Sequence, residues 1–209
     1  MNPTVQSAST EMADLAFSVR GEQIPSDYRH ALWAALRTAA PWLEDEPRAG
    51  VLGIRSVATE RGVCLLARRA SLTLRLPMHR LAAAAAAFEG RRIHVAGEPV
   101  EIGTSHVRPL PLANTLYADF VTTGSSEETR FQEDVAEALT SAGVSASVRF
   151  ICGRLRTLHA GGEEVSGYAV ALHELRPDDA LTLLHEGLGG GRKLGCGIFI
   201  QHKAITGLG

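Results

Sequence analysis

Lysine is nearly missing from this 209-residue chain: only Lys193 and Lys203 carry it, and arginine supplies almost all the positive charge. Aromatic residues make up 5% of the sequence, too few for the stacking platform on which single-strand RNA readers lay their bases. Three cysteines, Cys64, Cys152 and Cys196, form no C-x-x-C pair, which excludes a disulfide framework and a thiolate metal site. They read as buried thiols of a reducing compartment. No histidine spacing resembles a metal site, so neither metal nor cofactor is expected. Long apolar runs are absent as well. The stretch Ala82 to Phe88 is too short to cross a bilayer and is flanked by charge, and no signal peptide is recognisable, so the expectation is a soluble cytoplasmic protein without a membrane partner. A net charge of −2 excludes general attraction to polyanions, so any such site must be a local patch.

What the chain does have is glycine, concentrated near its end. Gly187, Gly189, Gly190, Gly191, Gly195 and Gly197 surround Arg192 and Lys193, followed by the apolar run Ile198-Phe199-Ile200. Glycine at this density signals backbone that must adopt positive φ or approach something closely. Two adjacent cations make a phosphate a candidate for that something, because successive loop N–H groups form an anion-binding concavity. The order is wrong for known nucleotide loops: Lys193 precedes Leu194 rather than Ser or Thr, and the loop follows a helical segment and leads into a strand. A mobile linker is the alternative reading.

Periodicity along the chain gives one series of elements twice. Residues 1–12 read as a disordered leader. Asp14 to Arg20 alternates as a strand; Pro25-Ser26-Asp27 predicts a helix start with Ala31, Leu32, Ala35, Leu36 and Ala39 as its apolar stripe. Strands are expected over 50–57 and 63–76, a helix from Pro77 to about Phe88, and a strand over 91–95. This β-α-β-β-α-β order is ferredoxin-like. Pro109 and Pro111 mark a stiff linker at 104–113, dividing an N-terminal domain (13–103) from a C-terminal one (114–209). The second series runs through a strand at 115–122, a helix with a capping box at Ser125-Ser126-Glu127-Glu128, a hairpin turning at Gly161-Gly162, a helix opened by Pro177, the loop 187–197 and a last strand at 198–201. The fold class is therefore α+β, with two tandem ferredoxin-like (RRM-like) domains.

That arrangement, with the stretches Cys152-Gly-Arg-Leu-Arg-Thr-Leu158, Gly167-Tyr168 and Gly187 to Phe199, resembles the repeat-processing endoribonucleases of CRISPR systems, and most closely the myxobacterial-type branch of class 1. The resemblance implies a substrate, the repeat stem-loop of precursor CRISPR RNA. It implies a reaction, metal-independent attack of a ribose 2′-hydroxyl on the adjacent phosphodiester, leaving a cyclic phosphate and a 5′-hydroxyl. It further implies retention on the crRNA hairpin within a Cascade-like effector, with backbone and large subunits as partners and, through them, target DNA. A weakly active or inactive hairpin-binding subunit, or a ferredoxin-like binding or structural protein outside CRISPR, are the alternatives.

Such a cut needs proton transfer near neutrality, which suits histidine. In the family the catalytic histidine lies in or beside the first helix. His30 is the only histidine there, and Tyr28 stands where relatives often carry histidine, so these two are the catalytic candidates. Phosphate contacts are expected from Arg192 and Lys193 with Gly187, Gly189, Gly190, Gly191 and Gly195. Arg154 and Arg156 alternate with Leu155, so both should share one strand face and track an RNA stem. His159 at the hairpin tip, and His202 with Lys203 after the last strand, complete the expected RNA contacts. Arg68 and Arg69 are weaker candidates; His79, His94, His106, His173 and His185 read as incidental or structural.

Overall fold

Alternating apolar residues build the first sheet. The computed structural model describes residues 11–58 and 62–202. In β1 (Met12–Arg20), Leu15, Phe17 and Val19 are buried in the core, while Asp14 and Ser18 lie on the opposite, open face. The short β2 (Gln23–Pro25) precedes α1 (Arg29–Ala39) and α2 (Trp42–Asp45). Then come β3 (Gly50–Arg55), β4 (Val57–Ala58), β5 (Val63–Leu65), β6 (Ser71–Pro77), α3 (Leu81–Phe88), β7 (Arg92–Val95) and β8 (Glu98–Arg108). The main sheet has the antiparallel order β3-β6-β1-β8-β7, and β2-β5-β4 form a small accessory sheet. Leu32 and Leu36 of α1 and Ala84 and Phe88 of α3 bury one face of the main sheet, Phe88 meeting Phe17 edge-on at 5.8 Å.

The second half repeats the plan. It contains β9 (Leu116–Val121), α4 (Glu128–Ser141), β10 (Arg149–Ala160), β11 (Glu163–His173), α5 (Pro177–Glu186) and β12 (Ile200–Gln201), with sheet order β10-β11-β9-β12. Phe131, Val135 and Leu139 of α4 and Leu183 and Leu184 of α5 cover the face carrying Leu116, Ala118, Val170 and Leu172. Taking β8 as the fourth strand of the first half, both sheets run second-third-first-fourth, so the molecule is two tandem ferredoxin-like domains.

Several expected boundaries move. Residues 1–10 of the expected leader lie outside the described residues, and Met12 already pairs with Pro77 in the sheet. Helix α1 begins at Arg29 after an N-cap at Tyr28, not at Ser26 or Asp27, because Pro25 ends β2 and the Ser26 N–H is donated to the Gly62 carbonyl at 2.8 Å. Pro77 both closes β6 and caps a 3-10 turn (Met78–Arg80) that runs into α3, so it stands just before the helical segment rather than in its first turn. At α4 the cap is Glu127, whose carboxylate accepts the N–H groups of Thr129 and Arg130 at 2.9 and 2.7 Å, replacing the expected Ser125 box. The span 104–108, assigned to the linker, is the end of β8, paired with β1 from Ile102↔Val19 out to Arg108↔Asp14. The last strand starts at Ile200, while Ile198 and Phe199 are buried just before it.

Candidate nucleic-acid interface and catalytic seam

The glycine-rich loop turns its cations toward protein rather than toward solvent. The Arg192 guanidinium donates to the carbonyls of Glu186 (2.8 Å), His185 (3.2 Å) and, in the first domain, Arg48 (3.2 Å). Burial lowers its pKa to about 10. The Lys193 ammonium donates to the Leu43 and Glu46 carbonyls and sits 5.2 Å from the Trp33 ring, with its pKa also pushed down by burial. Where the sequence predicts phosphate contacts, the Arg192 Nη1 and Nη2 groups and the Lys193 ammonium instead meet carbonyls of the helix end and of the neighbouring domain, while the buried Arg192 Nε has no partner among the described residues.

The glycines have the same cause. Gly195 adopts φ +79°, and a Cβ there would run into Arg29 Nη1 and come within 2.7 Å of the Val51 carbonyl. Gly187 leaves no room for a side chain against the Gly197 carbonyl and Arg192, and a Cβ on Gly191 would press on Cys196. Gly189 is pressed against the Thr122 carbonyl; Gly190 alone of the expected set is exposed with open space around it.

Arginine closes the interdomain seam from the other side too. Arg75, 1% exposed, forms a two-pronged ion pair with Asp14 (2.7 and 3.0 Å) and donates to the carbonyls of Leu184 (3.1 Å) and Phe199. Arg29 donates to the Leu194 and Gly195 carbonyls at 3.0 and 3.4 Å and to Asp119 at 3.2 Å. Neither residue stood out in the sequence, since each lies in an ordinary strand or helix pattern.

The two catalytic candidates part company. Tyr28 is buried, its hydroxyl donating to the Ile54 carbonyl (3.1 Å) and accepting the Ile54 N–H (2.9 Å). Burial raises its pKa, and with both hydrogen bonds made to the Ile54 main chain the phenol ties the start of α1 to β3. His30, two residues on, is exposed in the first turn of α1. Its Nε2 faces the β10–β11 turn, where a Cβ on Gly161 would lie 3.2 Å away. Positive φ at Gly161 (+63°) and Gly162 (+95°) gives the tight two-residue turn that brings the hairpin to this spot. His159 on the same hairpin approaches Asp27 (Nδ1–Oδ2, 2.9 Å) and Glu164 (Nε2–Oε1, 3.4 Å).

Beyond the seam lies the uncovered face of the second sheet. Arg154 and Arg156 line one shallow depression there with Tyr117, Ile151 and Ala169. Asp119 binds Arg156 at 2.8 Å and Arg29 at 3.2 Å, so it links this face to the residue next to His30. His202 packs against Tyr117 with ring centres 5.5 Å apart; Lys203 lies outside the described residues.

The open face of the first sheet forms a second, larger concavity of about 750 Å³. Arg55, Arg68, Arg69 and Arg108 line it against the single carboxylate of Asp14, with Ile200 of the second domain on its wall. Arg55 and Arg108 went unnoticed in the sequence because their common face appears only once β3 and β8 take their places in one sheet. Among the described residues no three His, Cys, Asp or Glu side chains gather as metal ligands. No helix there is long and apolar enough to cross a membrane.

Comparison with known proteins agrees with this architecture. The sequence model of the Cas6 CRISPR family matches residues 13–204. The CRISPR-associated endonuclease Cas6 of Myxococcus xanthus (strain DK1622) is 30% identical over 188 residues, covering 90% of this chain and 80% of that protein. Among solved structures, a CRISPR-associated protein Cas6 superposes with a TM-score of 0.62 at 10% identity, covering 92% of this chain and 100% of the other. A RAMP protein that binds different RNA substrates gives 0.62 at 12% identity, with coverage of 91% and 100%.

Proposed function

This chain belongs to the Cas6 CRISPR family, and on that premise we propose that it binds the repeat stem-loop of precursor CRISPR RNA and cuts it by 2′-hydroxyl attack on the adjacent phosphodiester. The products carry a cyclic phosphate and a 5′-hydroxyl, and the reaction runs without a metal ion. The observation that carries the reading is the exposed imidazole of His30 in the first turn of α1, facing a hairpin whose strand β10 bears Arg154 and Arg156. His30 accepts the proton of the attacking 2′-hydroxyl, a role for which imidazole is suited near neutral pH. Arg154 and Arg156 contact the stem backbone, as recognition of duplex RNA by phosphate and 2′-OH contacts requires. The arginine-lined groove of the first sheet takes flanking single strand through its phosphates. After the cut the protein stays on its hairpin as one subunit of an effector complex.

The experiment is cleavage of labelled repeat RNA in EDTA. Wild type is expected to leave a cyclic phosphate, and His30→Ala to lose about 10²–10⁴-fold in rate with affinity nearly unchanged. Equal rates in the variant would remove His30. A second reading, a hairpin-binding subunit that does not cut, draws on the burial of the Tyr28 hydroxyl against the Ile54 main chain; a mobility shift with no cleavage would favour it. No binding at all would overturn both.

A further inference from the structure

Cleavage by transesterification needs two proton transfers, and His30 accounts for one. The geometry points to His159 as the other: the general acid that protonates the leaving 5′-oxygen, with Asp27 as the residue that positions it. This rests on the endoribonuclease reading above.

His159 belongs to the second domain, yet its Nδ1 stands 2.9 Å from the carboxylate of Asp27, three residues before His30 in the first. A carboxylate can only accept, so this contact favours a ring with its hydrogen on Nδ1. As an imidazolium the ring carries a second hydrogen on Nε2, and that is the proton to be delivered. The neighbour of Nε2 is Glu164, at 3.4 Å and on an exposed side chain, a contact a substrate oxygen can replace. His30 Nε2 faces the same hairpin at Gly161, two residues beyond His159. One segment of the first domain therefore supplies the base and the orienting acid group. The hairpin of the second supplies the proton donor.

The step balances. The 2′-oxygen bonds to phosphorus as its proton passes to His30; the P–O5′ bond breaks as the His159 Nε2 proton passes to O5′. The cyclic phosphate and the free 5′-hydroxyl then leave. His159, expected from the sequence to be an RNA contact, instead touches the reacting oxygen.

The alternative is that the Asp27–His159 pair merely ties the hairpin tip to α1. A repeat RNA with bridging sulfur in place of the scissile O5′ separates the two, because a thiolate leaves without needing a proton. On all-oxygen RNA, His159→Ala and His159→Gln should cut at least about 100-fold more slowly than wild type. On the sulfur-bridged RNA they should come within a few fold of wild type, whereas His30→Ala stays slow on both. Wild-type speed on oxygen RNA, or equal slowing on both substrates, would overturn the assignment while leaving the endoribonuclease reading intact. Failure of wild type to cut either RNA would overturn the parent reading and this one with it. Binding of uncleavable 2′-deoxy repeat RNA, unchanged in the variants, shows that the hairpin still forms; lost binding would return His159 to a structural or RNA-contact role.

Discussion

Single side chains in this protein divide sharply between holding the fold and facing solvent. Tyr28 and His30, two residues apart, are equal candidates as letters in a sequence. Their separation depends on where α1 begins, and that start is displaced by the accessory strand ending at Pro25. Tyr28→Phe should therefore cost about 1–3 kcal/mol of stability, since the Ile54 N–H and carbonyl both lose their partner. Cleavage by the folded variant should be unchanged; a tenfold drop would return the phenol to the chemistry. Arg75 was illegible for another reason. It alternates outward between Leu74 and Leu76 like any solvent-facing residue, and its partners Leu184 and Phe199 lie 109 and 124 positions away.

At the level of elements, the glycine-rich loop shows how far composition can be read. That the backbone there takes left-handed turns and close contacts followed from glycine density alone, and Gly187, Gly189, Gly191, Gly195 and Gly197 all have positive φ. What the backbone approaches did not follow, because a carbonyl of another domain and a phosphate oxygen demand the same small residue. Two substitutions distinguish positions within the loop. Gly195→Ala should destabilise by at least ~1–2 kcal/mol from the left-handed backbone alone, with the collision against Arg29 and Val51 added. Gly190→Ala, with open space and ordinary φ, should raise stability by about 0.4–1 kcal/mol. Urea midpoints of the two variants check both signs. The strands were legible where one face is buried, as in Leu15, Phe17 and Val19. Strand β8 was not, because only Val100 and Ile102 in it are buried, its outer half is largely exposed, and the prolines at 109 and 111 suggested an earlier break.

On the scale of the whole molecule, the two domains are joined by Arg29, Arg75, Arg192 and Lys193, each donating to main-chain carbonyls across the seam. The halves should consequently unfold together. Both tryptophans, Trp33 and Trp42, lie in the first domain, so their fluorescence reports that half while far-ultraviolet dichroism reports both. Wild type should give coincident urea transitions. Arg75→Met combined with Arg192→Met should separate them, because Asp14 and the Leu184 and Phe199 carbonyls lose their partner; breaking such a buried pair costs about 3–5 kcal/mol. Coincident curves in the double variant would deny the arginines this role. Main-chain oxygens carry no net charge, and a guanidinium already enclosed by them is largely hidden from mobile ions. Concentrated electrolyte should therefore strip a polyanion from the outward-facing arginines without prising the two lobes apart, so that a brine wash yields an empty but intact protein.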